Sequence, residues 1–536
     1  MHQGIFRGLV LALAASLIVG LAACTSPFAT VAIDRGSPAA ETIDPALASF
    51  YEQTLAWGPC AADSAADTAA DSTKDLALDA QSGDMQCTTA VAPIDWADPA
   101  GATVSLALIR HQATAKNSLG SLFVNPGGPG ASGVNFIRDS LDYAVGKPLQ
   151  EAYDIVGFDP RGVGQSTPVT CYTDPAQTDD LLYGIDAAPR ASEDWVAARE
   201  ASSRDFAAAC LANTGALLAH VDTVSAARDL DMLRYAVGDA HLNYLGYSYG
   251  TLLGATYADT FPTHVGRMVL DGALDPASPG TVVTQTQAVA FEGALRAYLT
   301  WCLSQNDCPV AGDGTVESAL TTIAALLTTL EANPIAPSGT ETRMLGADTM
   351  VTAIIAPLYD KAAWSYLSTV LAAALAGDAG PVFESADWYN GRDSGGAYLD
   401  NSTEAFLSIN CLDYPSSPDP TTWQTDAAAL AAAAPIIGPY FGFGDITCAN
   451  WPYPATRTPG PIVALGSPDI LVIGTTGDPA TPYQWAVNLA AELSKGHLIS
   501  YTGEGHTAYN KSNSCVDDAV VHYFLAGVVP AADPKC

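Results

Sequence analysis

Three short segments of the chain carry the residue types that acyl transfer needs. In His241-Leu242-Asn243-Tyr244-Leu245-Gly246-Tyr247-Ser248-Tyr249-Gly250, apolar residues run into Gly-x-Ser-x-Gly, and helix-forming residues from Thr251 to Asp259 follow. Strand, sharp turn and helix form the context in which this pentapeptide exposes a serine hydroxyl above a sheet. Alone, it could be a small-residue turn packing a helix on a sheet. The second segment, Gly477-Asp478, ends an apolar run that begins at Asp469, and the third, Gly505-His506, follows the short strand pattern His497 to Tyr501. A serine hydroxyl is a poor nucleophile until a base within hydrogen-bond reach takes its proton. Ser248 is therefore the expected nucleophile and His506 the base. Asp478 is the acid that fixes the imidazole tautomer. Asp271, at the end of the strand after the serine turn, is the rival acid. The other histidines serve as controls: His220 and His264 lie in connecting segments, His241 is at the wrong end of its strand, and His497 and His522 lack a preceding glycine-rich turn.

Acyl transfer also needs N–H donors for the oxyanion of the tetrahedral intermediate. Ser121-Leu122-Phe123-Val124-Asn125-Pro126-Gly127-Gly128-Pro129-Gly130 is a short apolar strand ending in a loop whose glycines let the backbone approach a ligand. Gly128 is the expected first donor, with Gly127 as the alternative, and the backbone N–H of Tyr249 is the second. A plain multi-glycine turn would need no such role. Asp159 and Arg161, in the turn Asp159 to Ser166, are read as structural ties beneath the site.

These residues need a scaffold that brings distant segments to one edge. Met85 to Ala92, Val104 to Ile109, Tyr153 to Phe158 and Val265 to Leu270 read as strands, and Asp222 caps a helix over Thr223 to Ala236. Helix, strand, turn, helix, strand implies a parallel sheet with crossovers. Val169 to His220 reads as polar and irregular with some helix. From Pro276 to Tyr453 the segments turn Ala- and Leu-rich and helical (Thr284 to Leu303, Val316 to Ala332, Asp348 to Leu358, Trp364 to Leu375), as a cap inserted between two halves of a sheet would be. The expected organisation is a leader over 1–23, a tether over 24–50, core over 51–275, helical cap over 276–453 and core again over 454–536.

Composition narrows the setting. Acidic residues number 57 against 22 basic ones, a formal charge of -35, which argues against nucleic-acid binding. Arg7 followed by the apolar run Gly8 to Gly20 has the form of an export signal, too short to span a membrane comfortably. Leu21-Ala22-Ala23-Cys24 resembles a lipobox, which would lipidate Cys24; an ordinary secretory signal with an incidental cysteine is the alternative. Both place the mature protein outside the cytoplasm, anchored to the outer face of the cell membrane or secreted, with no other membrane contact. Removing Cys24 from the 11 cysteines leaves an even set, fit for disulfides in an oxidising compartment. Pairing in chain order gives Cys60–Cys87, Cys171–Cys210, Cys302–Cys308, Cys411–Cys448 and Cys515–Cys536. No metal site or cofactor is implied, Ala61 to Ala80 reads as an Ala/Asp-rich loop, and the protein is expected to be a monomer.

Asn125 to Gly130, Asp159 to Ser166, Gly246 to Gly250, Gly477-Asp478 and Gly505-His506 together resemble the exported tripeptidyl aminopeptidases, relatives of proline iminopeptidase, from about Trp57 to the C-terminus. The resemblance implies an α/β-hydrolase fold: a mainly parallel sheet with helices on both faces and a helical cap, or lid. It also implies removal of short peptides or single residues from substrates with a free N-terminus. Ile409-Asn410-Cys411-Leu412-Asp413 resembles the family's Cys-x-Asp segment. Asp413 is accordingly expected to anchor the substrate ammonium, with Glu404 second, and a solvated or capping aspartate is the plain alternative. Two other functions remain open: an exported esterase or lipase with the same triad, and a non-catalytic surface binding protein, against which the complete triad argues.

Overall fold

The computed structural model describes residues 41–60, 85–336 and 341–536. The export signal, Cys24, the first part of the tether and the Ala61 to Ala80 insert lie outside the described residues. Among those described, no helix is long and apolar enough to cross a membrane.

Among the described residues, nine strands form one sheet: β1 (Gly58–Pro59), β2 (Met85–Pro93), β3 (Thr103–His111), β4 (Ser121–Asn125), β5 (Asp154–Phe158), β6 (Leu242–Tyr247), β7 (Val265–Asp271), β8 (Ile470–Gly477) and β9 (Gly496–Glu504), in the order β1-β2-β3-β5-β4-β6-β7-β8-β9. The pairs from β1 to β3, and β3 with β5, are antiparallel; every pair from β5 through β9 is parallel. Both β4 and β6 are buried at every residue, as parallel strands covered by helices on both faces must be. Side chains alternate between two cores. Phe123, Tyr244, Leu270 and Val472 pack on one face, and Val124, Leu245, Val269 and Ile473 on the other. The register pairs Asn125 with Gly246, Tyr247 with Asp271 and Gly477 with Glu504, so these strands finish at one common edge.

The cap has its own apolar core, in which Tyr298, Met350, Ile354, Leu367 and Phe383 from four helices meet. It draws on more of the chain than the sequence suggested. The segment 169–220 is not irregular: it holds a 22-residue helix, Glu193–Thr214, and a shorter one, Pro175–Tyr183. Tyr183 joins the cap core and Trp195 packs with Trp423 and Ile446, so part of this first-half segment belongs with the cap. Conversely, the helix Ser402–Asp413, late in the cap sequence, buries Ala405, Ile409 and Leu412 in the sheet's core. Five disulfides join Cys60–Cys87, Cys171–Cys210, Cys302–Cys308, Cys411–Cys448 and Cys515–Cys536, the pairs given by chain order. Arg161 forms a two-pronged, fully buried ion pair with Asp229, at 2.6 Å from each oxygen, and Asp159 accepts from Ser132 Oγ and the N–H groups of Val134 and Gln165. Both tie loops, as the turn's composition suggested.

Candidate active site

Ser248 stands between β6 and the helix Tyr249–Thr260 with φ 55° and ψ -125°, a conformation that a serine tolerates only where its surroundings impose it. Its N–H donates to Asp271 O at 2.9 Å, and its own carbonyl accepts from Thr251 N and Thr251 Oγ1. The helix closes on the sheet so tightly that a Cβ on Gly250 would lie 2.8 Å from Asn125 O.

Asp478 and His506 follow β8 and β9 at the same edge. The Asp478 carboxylate takes the His506 Nδ1–H at 2.9 and 3.0 Å, leaving Nε2 for a reacting proton. The carboxylate is fully buried and held from four more directions, by the N–H groups of Ala480, Thr481 and Thr507 and by the Thr481 hydroxyl at 3.0 Å. Thr481 Oγ1 also lies 3.3 Å from His506 Nδ1. Asp271, the rival acid, has a different task. Its oxygens accept from the backbone of Ala508 and Tyr509 and so fix the loop that carries His506. Burial raises its pKa, and those two N–H groups work against that rise. His506 is 13% exposed at its side chain, and its backbone N–H donates to the cap carbonyl of Tyr359 at 2.8 Å, with the Tyr359 ring edge-on at 5.4 Å.

The glycine loop passes directly over the serine. Gly127 has φ 99°, and a Cβ there would come within 2.5 Å of Tyr247 O and 2.9 Å of Ser248 Cβ. Its N–H donates to Asn125 Oδ1 at 3.0 Å. Tyr249 N–H opens the helix that follows Ser248, where backbone donors have no intrahelical partner.

Beside His506 lies a cavity of about 720 Å³, walled by Tyr359, Tyr366, Trp388 and Tyr389, with Asp360, Glu384 and Lys511 on its rim. Lys511 Nζ donates to Thr507 Oγ1 at 2.6 Å and lies 4.3 Å from the Tyr143 ring centre. The two carboxylates expected to anchor an ammonium are elsewhere. Asp413 is 0% exposed, with its oxygens taken by the N–H and hydroxyl of Thr223. Glu404, 8% exposed, accepts from Cys171 N at 3.0 Å and Tyr172 N at 2.8 Å. Neither lines the cavity, and donors of the core hold both. Thr481 had a legible signal, an aspartate three residues before a hydroxyl at a helix start, which is an Asx-turn pattern. Asp360 and Glu384 had none, since only the cap's packing brings them to the cavity that His506 also lines.

Among the described residues, one group has the composition of a metal site, Glu41, Asp231 and His264, with ligand atoms within 4.8 Å of one another. Arg234 donates to both carboxylates there, at 3.0 and 2.9 Å, and supplies the positive charge itself.

Residues 434–536 match the family described as TAP-like protein. The chain is 36% identical over 467 residues to the serine protease Hip1 of Mycobacterium tuberculosis, covering 85% of this chain and 88% of that one. It is 37% identical over 461 residues to carboxylesterase B of the same organism, covering 84% and 86%. To the tripeptidyl aminopeptidase of Streptomyces coelicolor it is 32% identical over 459 residues, covering 84% and 83%. Among solved structures, the proline iminopeptidase of Mycobacterium smegmatis is similar at 15% identity and a TM-score of 0.35, covering 82% of this chain and 97% of that one.

Proposed function

This chain belongs to the tripeptidyl-aminopeptidase-like family of serine α/β-hydrolases, and from that premise we propose that it is an exported peptidase acting on peptides with a free N-terminus. It is a serine hydrolase. The observation that carries the reading is the buried Asp478–His506 pair at the same sheet edge as Ser248, with the glycine loop packed directly against the serine. Ser248 Oγ attacks the scissile carbonyl while His506 Nε2 takes its proton, and the C–O bond forms as the oxyanion settles between the N–H groups of Gly128 and Tyr249. The tetrahedral intermediate collapses, His506 protonates the leaving amine, and a water hydrolyses the acyl-enzyme by the same steps in reverse. Asp478 holds the imidazole for both transfers.

An ammonium needs a carboxylate, and those on the cavity rim are Glu384 and Asp360. Peptide chemistry is supported by the relatives named serine protease and tripeptidyl aminopeptidase. An ester reading is favoured by one specific observation, the similarity to carboxylesterase B, and the largely aromatic cavity wall suits either substrate. Export, with a lipid on Cys24, is part of the same proposal; its support is the leader sequence and the paired cysteines. The test compares one tripeptide anilide with its N-terminus free and acetylated, and a matched ester, with Ser248→Ala as the blank. Cleavage of the free anilide well above the acetylated one is expected. Equal rates on both anilides would overturn the free-amine reading, and turnover of the ester alone would give the esterase.

A further inference from the structure

The helix Ser402–Asp413 packs on the glycine loop at its start and reaches Tyr249 through Thr223 at its end. At its start, Ser402 O and Phe406 N pack on the glycine loop so closely that a Cβ on Gly130 would lie 2.5 and 3.0 Å from them. At its end, Asp413 accepts the Thr223 N–H at 2.9 Å and the Thr223 hydroxyl; Thr223 Oγ1 in turn meets the hydroxyl of Tyr249. All three side chains are buried. The helix itself is pinned to the core at its entry by Asn401, which accepts from Gly164 N and donates to the carbonyls of Gly162 and Val169, each at 2.8 Å.

We infer that Asp413 is a positioning residue for the oxyanion site: through Thr223 it orients Tyr249, whose backbone N–H receives the developing negative charge. This rests on the proposed serine-hydrolase site. An ionised Asp413 accepts only, so the proton order along the chain has one solution. Tyr249 O–H donates to Thr223 Oγ1, Thr223 O–H and N–H donate to Asp413, and the tyrosine ring is tied at its far end. A neutral acid breaks that order, because its O–H can donate to Thr223, which then donates to Tyr249 and leaves the phenol proton without an acceptor.

Burial raises the Asp413 pKa to about 7, the Thr223 bonds and Arg457 work against that rise, and Asp222 adds to it. The charged and titratable groups around it are thus Arg457, Asp222, Tyr249 and Tyr414, and both tyrosines are themselves held neutral by burial. The relay is therefore in its ordered state above about pH 7 and loses it as the pH falls.

The test is the pH dependence of the ratio of kcat between wild type and Asp413→Asn, which mimics the neutral acid. The ratio should be near unity at about pH 5.5 and rise to about tenfold at about pH 8.5, below the 10²–10³ lost when a donor is removed outright, with KM changed less than about twofold. Tyr249→Phe, which keeps the backbone N–H, should lose a similar factor, and the double variant should lose no more than either alone. Folding takes up a proton at Asp413 between the pKa values of the unfolded and folded chain, so wild-type stability falls as the pH rises through that window. The asparagine variant lacks this slope and should melt no lower than wild type above about pH 7, which separates positioning from unfolding. A ratio flat with pH, a loss carried by KM alone, or additive losses in the double variant would overturn the inference. Full activity of Ser248→Ala would instead overturn the site on which it rests.

Discussion

Two cap helices carry carboxylates toward the catalytic edge and use them in opposite ways. On Ser402–Asp413, Glu404 and Asp413 are buried, and every contact they make is to N–H or O–H groups of the core. On Gly380–Asn390, Glu384 is exposed and accepts from the Tyr366 hydroxyl at 3.1 Å, while Trp388 is 73% exposed. The residue types are the same. What differs is the supply of donors: a carboxylate that meets two donors of the core becomes architecture, and one left facing an open wall stays available to a ligand. The first helix braces the reaction centre and the second furnishes the cavity, so substitutions on them should split cleanly between turnover or stability and substrate affinity.

The split presupposes one reaction centre, and the largest effect belongs there. Ser248→Ala and His506→Ala should each lower kcat by at least roughly 10⁴-fold, and Asp478→Asn by about 10⁴-fold because it invites the wrong tautomer. Single-turnover and steady-state rates on a free-amine peptide check this. If any of the three retained most of its rate, neither helix would be facing the chemistry. Glu404→Gln comes next. Its amide nitrogen would confront the N–H of Cys171 or Tyr172, costing about 2 kcal/mol in urea unfolding while leaving the preference for free over acetylated substrates untouched. A changed preference with unchanged stability would return Glu404 to substrate recognition and break the contrast.

This contrast also marks what the sequence could disclose. The serine turn, the glycine loop and the Gly-Asp and Gly-His ends were legible because each is a local pattern, an apolar strand running into residues that permit a sharp turn. The strands and several cap helices followed from periodicity for the same reason. The fates of Glu404 and Asp413 were not legible, because their partners are 233 and 190 residues away and only the folded packing brings them together. That the Asn125 amide oxygen accepts the Gly127 N–H was likewise not legible, since it depends on how the folded loop turns. Some helix was expected between Val169 and His220, but the length of Glu193–Thr214 was not legible, since its buried residues serve two partners. Trp195 and Val196 face the cap, while Phe206, Ala207 and Cys210 face the core, so no single stripe runs along it.

The smaller predictions sharpen the other side of the comparison. Glu384→Gln removes a charge without changing shape. If Glu384 receives the substrate ammonium, KM for a free-amine peptide should rise about tenfold, as expected for losing one charge-assisted hydrogen bond at an open site, and kcat and the acetylated substrate should be unaffected. An equal rise for both substrates would mean that the wall only packs against the chain and that Asp360 is the acid to test. Trp388→Ala should do less. Trp388 borders both the cavity of about 720 Å³ and a neighbouring one of about 570 Å³, in which Arg343 and Arg392 are already paired with Glu341, Asp387 and Asp179. A short peptide would cover only part of the indole, and ordering that peptide offsets much of the area gained, so KM should rise by about threefold. A longer peptide that continued across Trp388 would cover more of the ring and lose more. The ratio of the Trp388→Ala effect between a short and a long substrate therefore reads out whether the bound chain stays in the first cavity or crosses into the second.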